Sequence, residues 1–312
     1  MRLVLLFPGQ GSQKPGMGRE LADAFPAVHR LFEAVDDALD SPISRLCFEG
    51  PADELTLTHN AQPALYAHGA AAWAVIRDEV AGRVDAAAGH SLGEFTAYHA
   101  AGTLSLADGA RLVRRRGELM LAAGQERPGA MAAVLGDLAE PIVALCERAS
   151  AEAGLVVPAN YNAPGQLVVS GDAAGVDRLA ELAKEAGAKR AVRLNVSGAF
   201  HSPLMEPAAE GLGLALEATS FEDPAFPVSS NVTAAPVSES GEARVLLRRQ
   251  LTSPVRWTEL VRDLAARHPD ALFVELGPGN VLAGLMKRIA PDAATATCGT
   301  PAEVETLLQR LR

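Results

Sequence analysis

Val84-Asp85-Ala86-Ala87-Ala88-Gly89-His90-Ser91-Leu92-Gly93-Glu94-Phe95 passes from a short apolar run, through two glycines flanking a serine, into a segment with helical spacing. Alanine is a poor strand former, so Val84 to Ala88 reads as a strand from its context rather than from propensity. Leu92, Phe95 and His99 fall at i, i+3 and i+7, and Gly102 stands where a helix over 92–101 would place a terminating glycine. Gly89 to Gly93 matches G-x-S-x-G, the sharp strand-to-helix turn that holds a serine at a strained backbone angle above a sheet. The competing reading is a glycine-rich turn with an incidental serine. Strand, turn and helix in this order favour Ser91 as a nucleophile, placed at a helix N-terminus where N–H groups face a developing oxyanion.

Working outward, Leu3 to Phe7 is a continuous apolar run closed by Pro8-Gly9, the pattern of a strand buried on both faces of a mainly parallel sheet. Leu21, Phe25, Val28, Leu31, Phe32 and Val35 recur at helical spacing within 17–39, with Pro26 as a break, and more helix is expected over 63–80. The rhythm then changes. Strands are expected at 131–135, 155–159, 166–170 and 190–196, with helices at 140–153 and 176–186. That order, βαββαβ, is the ferredoxin-like unit. Beyond it, Ser202-Pro203 looks like the N-cap and first position of a helix to 217, 258–267 reads as helix, and 271–276 as a strand leading into the turn Gly277-Pro278-Gly279-Asn280. Alternating strands and helices predict an α/β fold, with a large unit from 1–127 and 197–312 and a small ferredoxin-like unit at 128–196 inserted in it.

The 312 residues carry 28 Lys and Arg against 38 Asp and Glu, a net charge of -10, and only 4% aromatics. An acidic balance argues against neutralising many phosphates along a duplex, and few aromatics against base-stacking platforms, so no nucleic-acid partner is expected. Cys47, Cys146 and Cys298 are odd in number and far apart, which offers neither a disulfide framework nor a metal-binding C-x-x-C and suits a reducing compartment. The apolar run at the N-terminus stops at Pro8, too short for a secretion signal, and no stretch approaches the length of a membrane span. A cytoplasmic protein with no metal is expected.

A serine nucleophile needs a base, and seven histidines compete. His201 follows the strand expected to end near Val196 and precedes the Ser202-Pro203 helix start, which puts it at a strand's C-terminal edge, where α/β active sites gather. It also follows Ser91 in the chain order of the elbow hydrolases. His268 precedes its strand, His99 lies on the helix after the elbow, and His90 is expected to pack or orient. No orienting acid is evident, although Asp172 and Asp177 fall in the right order. An oxyanion hole of this type uses the N–H after the nucleophile, Leu92, and an N–H from a loop after another strand, which Gln10 in Gly9-Gln10-Gly11 can supply. That loop is not a dinucleotide turn, because position 14 is Lys where G-x-G-x-x-G needs Gly.

Phe7-Pro-Gly-Gln-Gly-Ser-Gln13, Gly89-His-Ser-Leu-Gly-Glu94, Arg116-Gly117, Asn160-Tyr-Asn162-Ala-Pro-Gly-Gln166, Ala199-Phe-His201-Ser-Pro-Leu-Met205, Gln250-Leu251 and Gly277-Pro-Gly-Asn280 together resemble the malonyl-CoA:acyl carrier protein transacylases. The matches keep the family's order across residues 3 to 285. The resemblance implies a hydrolase-like α/β core with an inserted ferredoxin-like subdomain, and a malonyl group carried on Ser91 with His201 as the base. It implies further that the backbone carbonyl of Gln250 orients His201 in place of an acid, and that Arg116 binds the malonyl carboxylate. Spacing does not select Arg116 among Arg111, Arg114 and Arg115; the resemblance does. Asn160, Asn162 and Phe200 are implied as pocket residues, with Phe200 crowding a 2-methyl branch and so favouring malonyl over methylmalonyl.

The expected partners are malonyl-CoA and an acyl carrier protein in fatty-acid or polyketide synthesis, with no resident cofactor and a monomeric chain. Arg244, Arg248 and Arg249 are candidates for attracting CoA phosphates or an acidic carrier. A serine hydrolase or thioesterase on the same Ser-His site is the alternative, and a noncatalytic carrier-binding subunit the third reading.

Overall fold

The computed structural model describes residues 1–312. The chain opens with β1 (Leu3–Phe7), followed by α1 (Arg19–Ala24), α2 (Pro26–Leu39), α3 (Ile43–Glu49), α4 (Ala52–Thr56) and α5 (Thr58–Ile76). Next come β2 (Val84–Gly89), α6 (Gly93–Ala100) and α7 (Leu106–Glu126). A second run comprises β3 (Ala130–Leu135), α8 (Ile142–Ala153), β4 (Val156–Ala163), β5 (Gln166–Gly171), α9 (Ala173–Glu185) and β6 (Arg190–Arg193). After a 3-10 turn at Pro203–Met205 the chain continues through α10 (Glu206–Glu217), β7 (Val228–Ser229), β8 (Pro236–Val237), α11 (Ser240–Gln250) and α12 (Trp257–Arg267). It ends with β9 (Leu272–Glu275), α13 (Val281–Ile289), β10 (Ala294–Thr297) and α14 (Pro301–Leu311).

Two sheets result. The larger runs β10-β9-β1-β2-β7-β8, parallel throughout except for β8 against β7. Its central strand explains its own sequence. Leu3, Leu5 and Phe7 face one apolar cluster while Val4 and Leu6 face another, so both faces of β1 demand apolar residues and no alternation survives. The smaller sheet runs β4-β5-β3-β6, antiparallel throughout. Ala130, Ala132, Val134 and Val169 pack under α8 and α9 in a core of their own. Met131, Ala159 and Val168, on the opposite face, join the main cluster of the large unit. That face looks onto the elbow.

Several boundaries differ from the sequence expectation. The helix expected over 63–80 runs from Thr58 to Ile76, with Pro63 inside it. Pro63 has no N–H to offer the carbonyl four residues back, and the freed His59 oxygen accepts from Arg114 Nη1 at 2.9 Å. Strand β4 extends to Ala163, past the expected 159, because irregular pairing at Pro158/Asn160 and Tyr161/Ala163 keeps its polar end on β5. Strand β6 stops at Arg193 rather than 196, and the segment after Ser202 starts as a 3-10 turn before α10.

Candidate active site

The elbow lies where β2 leaves the sheet beside β1. Ser91 has φ of 51°, a left-handed conformation that costs a serine about 1–3 kcal/mol and persists only if its surroundings hold it. Both glycines are required by close approach: a Cβ on Gly89 would stand 1.8 Å from the Gly93 carbonyl carbon, and one on Gly93 2.0 Å from the Phe7 oxygen. Asn231 clamps the turn. Its Oδ1 accepts from Ser91 N at 2.6 Å and its Nδ2 donates to Gly89 O at 2.7 Å.

The Ser91 hydroxyl donates to His201 Nε2 at 2.8 Å, and His201 Nδ1 donates to the Gln250 backbone carbonyl at 2.9 Å. A carbonyl can only accept, so the proton of the neutral imidazole is assigned to Nδ1 and the Nε2 lone pair faces the serine. Asp172 and Asp177 take no part: Asp172 accepts from Arg127 and Leu155 N, and Asp177 is paired with Arg193. Burial, and after it the Arg116 charge, pushes the His201 imidazole down to about 3, so it stands neutral and ready to accept a proton.

Arg116 is 1% exposed. It falls on the buried stripe of α7 with Leu112, Val113 and Met120, whereas Arg111, Arg114 and Arg115 are paired with Asp108 or Glu118. Its Nη1 donates to Gln62 Oε1 at 2.8 Å, and its Nη2 to Gln250 Oε1 at 2.9 Å and to Ser91 Oγ at 3.0 Å. Burial pushes the guanidinium down to about 10, with the Glu94 charge working against the shift. It remains a cation at neutral pH.

A cavity of about 380 Å³ opens onto these groups and is lined by Gln10, Leu92, Asn160, Asn162 and Phe200 as well as Ser91, Arg116 and His201. The backbone N–H groups of Gln10 and Leu92 make none of the protein's own hydrogen bonds. Asn162 Oδ1 is tied to His90 Nε2 at 2.8 Å, and the His90 ring packs against Trp257, so His90 orients a pocket amide. A larger open groove, about 720 Å³ beside Arg249, Arg256 and Arg262, contains none of the reactive groups. Of the other basic candidates, Arg244 is committed to the Leu216 and Thr219 carbonyls and to the Phe221 ring, while Arg248 and Arg249 are exposed.

All nine candidate residues therefore gather around one cavity: seven side chains line it with Leu92 beside them, and Gln250 contributes from behind. Sequence reasoning missed Asn231, Gln62 and the structural part of Glu94. Glu94 sits inside the quoted motif, but isolated amides such as Gln62 and Asn231 carry no local signal.

Residues 4–308 match the profile of the acyl transferase domain. The chain belongs to the acyl transferase domain family. The malonyl CoA-acyl carrier protein transacylase of Bacillus subtilis (strain 168) is 46% identical over 311 residues, covering 100% of this chain and 98% of that one. Its counterpart in Escherichia coli (strain K12) is 39% identical over 308 residues, covering 99% of each. Among solved structures, the acyl-carrier-protein-S-malonyltransferase of Bartonella henselae superposes with a TM-score of 0.94 at 44% identity, covering 100% of this chain and 99% of that one. A malonyl-transacylase solved in complex with a type II PKS acyl-carrier protein gives 0.94 at 39% identity, covering 99% of this chain and 100% of that one. The α/β fold with its separate antiparallel sheet is thus the fold of this acyltransferase family. No helix is long and apolar enough to cross a membrane.

Proposed function

We infer that this acyltransferase moves a malonyl group from malonyl-CoA to the phosphopantetheine thiol of an acyl carrier protein, in fatty-acid or polyketide synthesis, through a malonyl ester on Ser91. The observation that carries the reading is a buried guanidinium, Arg116, 3.0 Å from the nucleophilic oxygen. A fixed cation at that point suits an acyl group that ends in a carboxylate, which it can hold by two parallel hydrogen bonds.

Ser91 Oγ attacks the thioester carbonyl as its proton passes to His201 Nε2. The negative charge that develops on the carbonyl oxygen meets the N–H groups of Gln10 and Leu92. Collapse breaks the C–S bond, and the departing CoA sulfur takes the proton from His201. In the second half the carrier's thiol gives its proton to His201, attacks the ester and releases Ser91, which recovers that proton. The Gln250 carbonyl holds the imidazole throughout. An incoming carboxylate neutralises Arg116 and so removes one cause of the low His201 basicity just as a proton must be taken up. Asn160 and Asn162 line the cavity beside the reacting groups, and Phe200 narrows it against a branched acyl chain.

The division of labour follows the two sheets: 1–127 and 197–312 supply nucleophile, base and cation, and 128–196 supplies the amide-lined wall. We also take the protein to act as a cytoplasmic monomer without metal or cofactor, a setting suited to three buried, unpaired cysteines. Mixing with malonyl-CoA and weighing the intact protein is expected to give a malonyl adduct that Ser91→Ala lacks. An unmodified wild-type protein refutes the reading, and free malonate released faster than carrier is loaded supports a thioesterase instead.

A further inference from the structure

Glu94 is a carboxyl group with 0% exposure, and the mechanism above gives it nothing to do. Burying such a group is costly unless it is well bonded. Only one of its oxygens is. Oε2 accepts from Gln250 Nε2 at 2.6 Å and from Asn231 N at 3.2 Å, whereas Oε1 has no partner.

The two residues it touches are the ones that arrange the reacting groups. Gln250 presents four contacts: its backbone carbonyl to His201, its Oε1 to Arg116 Nη2, and its Nε2 to Ser91 O at 3.0 Å as well as to Glu94. Asn231 holds Ser91 N and Gly89 O. An amide side chain fits its site in two orientations that exchange oxygen and nitrogen, and only its partners choose between them. Flipped, the Gln250 amide would set its oxygen against the Glu94 oxygen and its NH2 against the guanidinium. The acceptor at position 94, the nearer of the two with the Ser91 carbonyl, opposes that.

We propose that Glu94 is a positioning residue, which locks the Gln250 side-chain amide in the orientation that holds Arg116 and the Ser91 backbone in place for acyl transfer. The proposal rests on the roles assigned above to Arg116 and Ser91. The lock needs an acceptor, not a charge. Burial pushes the Glu94 carboxyl up to about 7, and a proton taken on the unpartnered Oε1 leaves Oε2 facing the same two donors.

The requirement for an acceptor makes the substitutions discriminating. In Glu94→Gln the amide oxygen can occupy the place of Oε2; in Glu94→Leu nothing accepts. Rapid-quench measurement of acyl-enzyme formation from malonyl-CoA and acetyl-CoA, on variants with a native near-ultraviolet circular dichroism spectrum, should separate them. Glu94→Leu is expected to slow malonylation by about 10- to 100-fold, the scale of a misplacement near 1 Å, and to erode the preference for malonyl over acetyl. Glu94→Gln should stay within about threefold of wild type on both counts, and in a Gln250→Ala background the Glu94→Leu loss should shrink by at least about threefold, the remainder being the Asn231 N–H left without its acceptor.

Equal losses in Glu94→Gln and Glu94→Leu, or the full loss persisting without the Gln250 side chain, overturn the proposal. If Glu94→Leu does not fold, Gln250→Glu provides the second route, because it sets acceptor against acceptor. It should be slower than Gln250→Ala, and adding Glu94→Gln, which can turn its NH2 toward the carboxylate introduced at position 250, should recover at least about tenfold. No recovery overturns the proposal. The Ser91→Ala control separates the two levels: an adduct that survives it sinks the nucleophile assignment, whatever Glu94 does.

Discussion

Replacing Arg116 with alanine removes a buried cation whose three side-chain hydrogen bonds run to Gln62, Gln250 and Ser91. For malonyl-CoA the loss is the pairing of a desolvated carboxylate with a buried guanidinium, and breaking one side of such a pair costs about 3–5 kcal/mol. At 1.36 kcal/mol per decade that is a fall in kcat/KM of roughly 150- to 5,000-fold. Acetyl-CoA has no carboxylate to lose. Its acylation also proceeds beside a more basic His201, because the Arg116 charge is the second cause, after burial, of the low imidazole value. The two substrates should therefore part: malonyl-CoA falls by about two to four orders of magnitude, while acetyl-CoA holds level or rises, about 1.4 kcal/mol for each decade of selectivity lost. The assay is kcat/KM for each CoA ester with loading of carrier protein as readout, on protein whose thermal melt shows a single folded state. Parallel losses on both substrates would refute the reasoning, since they would mean that Arg116 supports the fold of the site and does not read the carboxylate.

Three further outcomes are expected. His201 is neutral down to about pH 3 in the folded protein, so acyl-enzyme formation should not fall as pH drops through the ordinary histidine range near 6.5; a rate that halves near 6.5 contradicts the neutral, buried base. The same shift has a stability counterpart: the unfolded chain takes a proton below 6.5 that the folded one refuses, so stability present above 6.5 is lost as pH falls toward 3. His201→Gln escapes this, and denaturant titrations should show it gaining on wild type by about 1.4 kcal/mol per pH unit below 6.5. Gly93→Ala forces a Cβ to within 2.0 Å of the Phe7 carbonyl oxygen; a loss of several kcal/mol in stability, or a folded protein without acyl-enzyme, is expected, and wild-type melting and malonylation would disprove the close approach.

Much of the fold is legible because its signals are short-range. The uninterrupted run of β1 follows from burial on both faces, and the βαββαβ rhythm of 130–193 follows from the change between period 2 and period 3.6. The elbow is legible for the same reason, since the tight turn from β2 into α6 beside β1 leaves no room for a Cβ at Gly89 or Gly93. The signals fail where a distant partner supplies the missing bond. The helix read as starting at Pro63 begins at Thr58 and runs through the proline, its orphaned His59 carbonyl taken by Arg114, and the polar end of β4 stays on β5 through two irregularities in the pairing.

The strand at 3–7, the βαββαβ unit and the elbow serine are written in spacings of a few residues, whereas α7, α11, α14 and the strands β7, β8 and β10 carry no such signal. Strand β6 ends at Arg193 in the antiparallel sheet, eight residues short of His201. Which arginine enters the site, which carbonyl orients the base and which amides clamp the elbow come from contacts across the chain: Asn231 lies 140 residues from Ser91, and Gln250 159. An asparagine or glutamine looks the same in sequence whether it faces water or a buried carboxylate. Packing alone gives Gln250 an orientation, through Glu94 on one side and Arg116 on the other, because a buried amide must match each donor with an acceptor and only the folded chain supplies them.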